Sequence, residues 1–172
     1  MRDDFPQNVK TFFINLQNYL DTELYFFGSV NRLDYIHNKS DIDIAIFTDN
    51  EYSTMAQLKH FLHVSQKAFD KVVWKLKGNM IYGYKIKCDK HAEVKIKNCE
   101  IAIYNNEFKE SLLNYWYKQI PFYATILLYI LKTLYYTFPV LSKRSFSEYK
   151  RIIFDLFVYH KTESLFYLIK QT

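Results

Sequence analysis

Two apolar runs, Leu24 to Phe27 and Ile42 to Phe47, flank a polar stretch, and two acids one residue apart open the second run. Asp41 to Thr48 alternates as D-I-D-I-A-I-F-T. Successive side chains of a strand point to opposite faces, so Asp41 and Asp43 share one face and the isoleucines the other. The two carboxylates then lie about 6–7 Å apart along the backbone. Like charges held that close repel, and burial makes the repulsion worse. One relief is a sheet edge with both acids in solvent. The other is a bound divalent cation. Mg²⁺ takes oxygen ligands, commonly one or two carboxylates plus substrate phosphates. A D-x-D pair suits two such ions about 3.5–4 Å apart, the arrangement used for in-line phosphoryl transfer.

Gly28-Ser29 at the end of the first run favours the cation. Glycine lets backbone approach a ligand closely. Serine adds a hydroxyl and an N–H for a phosphate. If the two strands are neighbours, Ser29 sits beside the acids, and a triphosphate can be held between them.

The rest of the chain sets bounds. At 172 residues it is one ordinary domain, or one domain with a helical extension. With 49% hydrophobic and 24% charged residues it can build a core. Net charge is +5, which fits either a lysine-rich solvated surface or a polyanionic partner such as a nucleotide or RNA. Cys88 and Cys99 lack metal-type spacing and are too few for a disulfide framework, which fits a reducing cytoplasm. The opening MRDDFPQN is acidic and polar, unlike a signal peptide. Ile120 to Leu131 is uncharged over only twelve residues before Lys132, short of the roughly 20 that span a membrane, so a core helix is expected.

Helical spacing is expected from Val9 to about Asp21, after a cap at Asp3 or Asp4 and Pro6 in the first turn. Thr54 and Gln57 form a capping box ahead of Leu58, Phe61, Leu62, Ser65, Phe69, Val72, Val73 and Leu76, which share one helical face up to Gly78-Asn79. Three short strands are expected at 81–87, 92–97 and 100–104. From Asn106 onward the pattern is helical. Pro121 opens one helix that stops before Pro139, Ser145 and Glu148 cap another over 149–159, and 163–169 forms a last short helix. The division is a core over 1–105 and a C-terminal helical part over 106–172.

The hydrophobic strand, Gly28-Ser29, the gap and then Ser40-Asp41-Ile42-Asp43-Ile44 together resemble the signature of the DNA polymerase beta nucleotidyltransferase superfamily. Ser40 makes the stretch most similar to the poly(A) polymerase, terminal uridylyltransferase and minimal nucleotidyltransferase branches. The resemblance is strong over 25–47 and extends, in the order of elements, over about 8–105. It implies an α/β nucleotidyltransferase fold with a mixed twisted sheet. By the resemblance Gly28 and Ser29 bind the nucleotide's phosphates, Ser40 belongs to the nucleotide-binding set, and Asp41 and Asp43 hold Mg²⁺ or Mn²⁺.

Such enzymes add a third carboxylate from a later strand, which helps hold the metal and deprotonate the acceptor. Glu100 in "CEIAIYN" repeats the acid-and-isoleucine layout, while Glu93 in "AEVKIK" shares its face with Lys95 and Lys97. Glu100 is preferred and Glu93 is the alternative. The family usually has Asp there, so Glu is a departure. A helical lysine of the C-terminal part grips the triphosphate in the polymerase-like relatives. Lys132 is the candidate, against the alternative that it only snorkels to the surface.

The resemblance implies an ATP- or other NTP-dependent, template-independent enzyme. It would transfer NMP to a hydroxyl on an RNA 3′ end, a protein or a small molecule, with no membrane partner. A catalytically silent subunit of the same fold, or a minimal enzyme modifying a partner protein, are the alternatives.

Overall fold

The first helix is written in five apolar positions. In the computed structural model, which describes residues 2–76, 78–88, 96, 98–118, 120–159 and 165–169, α1 spans Gln7–Leu20 and buries Val9, Phe12, Phe13, Leu16 and Leu20. Pro6 itself is the N-cap, in place of Asp3 or Asp4, and its carbonyl accepts from the Val9 and Lys10 N–H groups. The helix closes on Asp21, in the left-handed conformation at φ 48°.

Next come β1 (Tyr25–Phe27), β2 (Ile42–Thr48), α2 (Glu51–Phe61), β3 (Asp70–Leu76), β4 (Asn79–Lys87) and β5 (Cys99–Asn105). The helices α3 (Lys109–Trp116), α4 (Phe122–Tyr136) and α5 (Lys143–Phe154) follow, and β6 (Leu165–Ile169) ends the described chain. One mixed sheet carries the strands in the order β1-β2-β5-β4-β3-β6. Among the described strands only β2 and β5 run parallel; the other pairs are antiparallel.

The sheet separates two apolar clusters. One face packs against α1 and α2 through residues such as Phe13, Leu16, Ile44, Met55, Leu58 and Ile101. The other carries Ala45, Phe47, Ala102 and Tyr104 and is covered by Leu112 and Trp116 of α3. Gly83 lies on this second face, where a Cβ would come within 2.5 Å of the Ile103 carbonyl and the Tyr104 ring. The absent side chain leaves room for that ring, whose hydroxyl accepts from the Trp74 indole N–H at 3.0 Å.

Three expectations are corrected here. The long helix of 54–76 is two elements. Asn50 caps α2 by accepting from the Ser53 N–H, in place of the Thr54–Gln57 box, and the helix stops at Phe61. His63 then takes φ 53°, and residues 70–76 become a strand whose hairpin partner is β4. Apolar positions 69, 72, 73 and 76 fit a helical period, yet Val72, Val73 and Trp74 are β-branched or aromatic and suit a strand. The segment 165–169 is likewise a strand, paired with β3, and not a helix. Ser142, not Ser145, caps α5, its hydroxyl accepting from the Ser145 N–H at 3.1 Å. The strand expected at 92–97 lies almost wholly outside the described residues.

Among the described residues no helix is long and apolar enough to cross a membrane. The α4 helix follows Pro121 as expected, but it is only half a core helix. It buries Ala124, Thr125, Leu128, Leu131 and Lys132 and leaves Phe122, Tyr123, Ile126, Tyr129 and Ile130 exposed.

Candidate active site

The β1–β2 pairing sets Phe27 opposite Asp43, so the chain leaves the sheet at Gly28, directly beside the acid. Gly28 has φ 73°, and a Cβ there would stand 2.6 Å from the Asp43 Oδ2. Both facts exclude a side chain: the left-handed region disfavours one, and the carboxylate occupies its space. The Gly28–Asn31 turn is a single 3-10 turn, closed by the Arg32 N–H donating to the Ser29 carbonyl at 2.9 Å. Gly28, Ser29, Asp41 and Asp43 line one cleft of about 220 Å³.

Asp41 is exposed at the cleft mouth, and Asp43 is half-buried on its floor. The parallel register places Glu100 of β5 beside Asp43. All three acids therefore gather at one end of the β2–β5 pair. Burial pushes the Asp43 carboxyl up to about 6, helped by the charges of Glu100 and Asp41. Burial and Glu100 also raise Asp41, against the lowering influence of Lys150, Lys87 and Lys132. Such uncompensated negative charge is what a cation would relieve.

Glu100 itself faces two ammonium groups, Lys85 and Lys87, the second at 3.4 Å. Among the described residues no three acids, histidines or cysteines are grouped at metal-holding spacing. Asp41 and Asp43 are hard oxygen donors under mutual repulsion, so this pair fits Mg²⁺ or Mn²⁺; Glu100 is a neighbour engaged elsewhere. Glu93 lies outside the described residues.

Ser40 and Lys132 also line the cleft. Both are buried. The Ser40 hydroxyl accepts from the Ile36 N–H at 3.0 Å and from the Lys132 ammonium at 3.2 Å. Lys132 donates further to the Asp34 carbonyl and carboxylate, each at 2.9 Å. An ammonium has three protons, and these three acceptors match them. Asp34 is fully buried and is also held by Arg32, with Nε donating to Oδ1 at 2.7 Å. Lys132 thus ties α4 to the 32–40 loop, and that loop delivers Ser40 and Asp41 to β2.

Several cleft residues carry no signal in the motif. Phe27 stacks on Trp116 with ring centroids 4.0 Å apart and planes 11° apart. The Trp116 indole N–H is the single buried side-chain polar atom without a protein partner among the described residues. Tyr136 and Phe146 form part of the helical wall, and exposed Lys150 stands near enough to lower both Asp41 and Asp43. Arg32 and Asp34, opposite charges two residues apart in a polar loop, have a spacing that suits a local ion pair, as Arg2 and Asp4 do.

No curated protein sequence matches the chain. A solved structure, described in terms of the structural plasticity of Cid1 and its RNA terminal uridylyl transferase activity, aligns at 18% identity with a TM-score of 0.31. It covers 73% of this chain, which spans about a third, 33%, of the length of the matched one. The family model of the nucleotidyltransferase domain matches residues 8–123, from the second residue of α1 to the start of α4. By that match, over a stretch that includes Gly28, Ser29, Asp41, Asp43 and Glu100, the chain belongs to the nucleotidyltransferase domain family.

Proposed function

We propose that the protein transfers a nucleoside monophosphate from an NTP to a hydroxyl acceptor without a template. The observation that carries this reading is the contact between the side-chain-free Gly28 and Asp43, with Glu100 in register on the next strand. That contact gives a phosphate-bearing turn and a crowded acid cluster one shared wall.

Asp41 and Asp43 would hold Mg²⁺ or Mn²⁺, and Glu100 would join them on release from Lys85 and Lys87. When bound, the ion supplies charge neutralisation at the reacting phosphate and lowers the acceptor hydroxyl's pKa. The Ser29 hydroxyl and N–H take phosphate oxygens at the turn. Exposed Lys150 supplies positive charge across the cleft. Lys132 acts on the nucleotide site through Ser40 and the loop it anchors. The acceptor oxygen attacks the α-phosphorus, the bond to the β-phosphate breaks, and pyrophosphate leaves. The acceptor proton passes to a carboxylate of the cluster, as general base catalysis requires. The Trp116 N–H and the Phe27–Trp116 stack offer the nucleotide a donor and an aromatic wall.

One observation favours a second reading. Glu100 is ion-paired to two lysines where the resemblance leads one to expect Asp, as it could be in a silent subunit of the same fold. Incubation with each labelled NTP and Mg²⁺ or Mn²⁺ separates the two. Labelled RNA, protein or small acceptor is expected from the wild type and not from Asp43→Asn. Nucleotide binding with no transfer to any acceptor would favour the silent subunit, and absence of binding would defeat the transferase reading.

A further inference from the structure

The α4 helix has its polarity turned inside out. Its one charge, Lys132, is buried against Asp34, while large apolar residues from Phe122 to Leu134 face outward. With 3.6 residues per turn, the exposed positions fall within about 160° of the helix circumference. Ile126 and Ile130 sit at the middle of that arc, 43% and 49% exposed, and Tyr123 and Leu127 lie along one margin. Thr133, also on the arc, donates its hydroxyl to the Tyr129 carbonyl of the same helix at 2.9 Å. The arc therefore presents no charge over its whole length.

A helix that is apolar all round belongs in an interior, and α4 has one on a single side. From the exposed fractions, the arc shows roughly 700 Å² of surface. Phe138 and Val140 continue it past the end of the helix, where the Val140 N–H returns to the Leu134 carbonyl at 3.1 Å. They bring the whole to about 900 Å². The largest apolar patch on a typical monomer is about 300–600 Å², and a stable dimer hides about 800 Å² on each partner.

We infer that the outer face of α4 is a contact between two copies of this chain, packed α4 against α4 about a twofold axis. Each copy carries a net charge of +5, so two copies repel unless they meet where neither is charged. A twofold contact sets a patch against itself, and an uncharged arc is its own complement without any pattern of opposite charges. A membrane surface is the other apolar acceptor, but helices that lie on one carry Lys and Arg beside the apolar face. The single lysine of α4 points inward. The contact does not depend on the nucleotidyltransferase reading. It would brace the helical wall of the cleft from behind, since the inner side of α4 holds the 32–40 loop through Lys132.

The test is sedimentation velocity on the full chain at about 10 μM, where interfaces of this area hold. The wild type is expected at twice the chain mass. Ile126→Asp with Ile130→Asp sets two new carboxylates of each copy against those of the other. It should return the chain to monomer, with the dissociation constant raised about 10²-fold or more. Ile14→Asp, at a comparably exposed position on α1, should stay dimeric. A second measurement needs no disruption. Ile126→Cys treated with a short bis-maleimide should give a covalent dimer and Ile14→Cys should not, the native Cys88 and Cys99 being buried.

A monomeric wild type overturns the inference, as does a dimer that survives both aspartates or is lost in Ile14→Asp. Mass that keeps growing with concentration would mean an open contact in place of a twofold one and overturns it too. So does an Ile126→Cys chain that fails to cross-link. Binding of the wild type, but not of the double variant, to phosphatidylcholine–phosphatidylserine vesicles by a chain that stays monomeric in solution would assign the face to a membrane instead.

Discussion

Two carboxylates under the same cleft show what burial does to an acid with partners and without them. Asp34, in the loop ahead of β2, is fully buried. Burial alone would raise its pKa, but the hydrogen bonds and charges of Arg32 and Lys132 outweigh that and hold it below the usual carboxylate range. Asp43, a few residues on, is less buried and worse off. Desolvation and its neighbours Glu100 and Asp41 push it up to about 6, and Lys85 and Lys150 offset only part of that. Asp34 is matched, and its place is structural. Asp43 is mismatched, and in an otherwise well-satisfied domain such a mismatch marks a site that awaits a partner.

The comparison breaks most severely if Asp34 is dispensable. Asp34→Ala strands Lys132 and Arg32 without their counter-charge. Removing one partner of a buried pair costs about 3–5 kcal/mol, and urea denaturation should show a loss of that order. A loss below about 1 kcal/mol would mean that the loop is held by other contacts.

Asp43→Asn should do the opposite. Removing a crowded like charge should leave the apo fold as stable as wild type or more so. Transfer should fall by about 10²–10³-fold or more, as when a stabiliser of transition-state charge is lost. Mg²⁺ should raise the melting temperature of the wild type and have less effect on this variant. Full turnover in Asp43→Asn would show that the acid is not part of the chemistry.

Gly28→Ala sharpens the contrast at smaller scale. The left-handed φ costs roughly 1–2 kcal/mol for a residue with a Cβ, and the new atom would displace the Asp43 carboxylate. Activity should fall more steeply than stability. Equal turnover with an unchanged Mg²⁺ response would refute the claim that this contact positions the acid.

A further effect is a slope in pH. The folded pKa of Asp43 is raised, so between about pH 4 and pH 6 the native state binds more protons than the unfolded chain. Stability of the metal-free protein should therefore fall as pH rises through that window, by about 2 kcal/mol once screening is allowed for. Asp34 has the opposite sign: its stabilisation is present above the unfolded carboxylate pKa and is lost as pH falls through the depressed folded value. Asp43→Asn should flatten the first trend and leave the second. Calorimetry across pH 3.5–7 would detect it, and an identical profile in the variant would remove Asp43 as its source.

How much of this was legible in the sequence depended on whether one pattern alone fitted the residues. Asp41 to Thr48 is readable because only a strand places its acids together and its isoleucines together. Glu100 is readable as a repeat of that layout. The 58–76 stretch is not, because its apolar positions satisfy the helical period while 72–76 also suits a strand, and the break at His63 carries no glycine or proline. The role of Lys132 was hidden because its partner Asp34 is 98 residues away in a loop without periodicity. The outward apolar residues of α4 were read as core because composition does not say which face finds a partner. The Gly28–Asp43 contact could be expected from the motif, but its closeness depends on the β1–β2 register.

The parallel pairing of β2 with β5 has a consequence for how the molecule assembles. Asp43 and Glu100 are adjacent in the sheet, yet α2, β3 and β4 lie between them in the chain. Parallel strands joined by so long an excursion close late, since the loop entropy is lost before the pairing rewards it. A one-residue slip would turn Glu100 to the opposite face. The acid cluster therefore depends on the completed topology: Gly28 and Asp43 meet across the local β1–β2 pair, while Glu100 joins them only through the β2–β5 pairing.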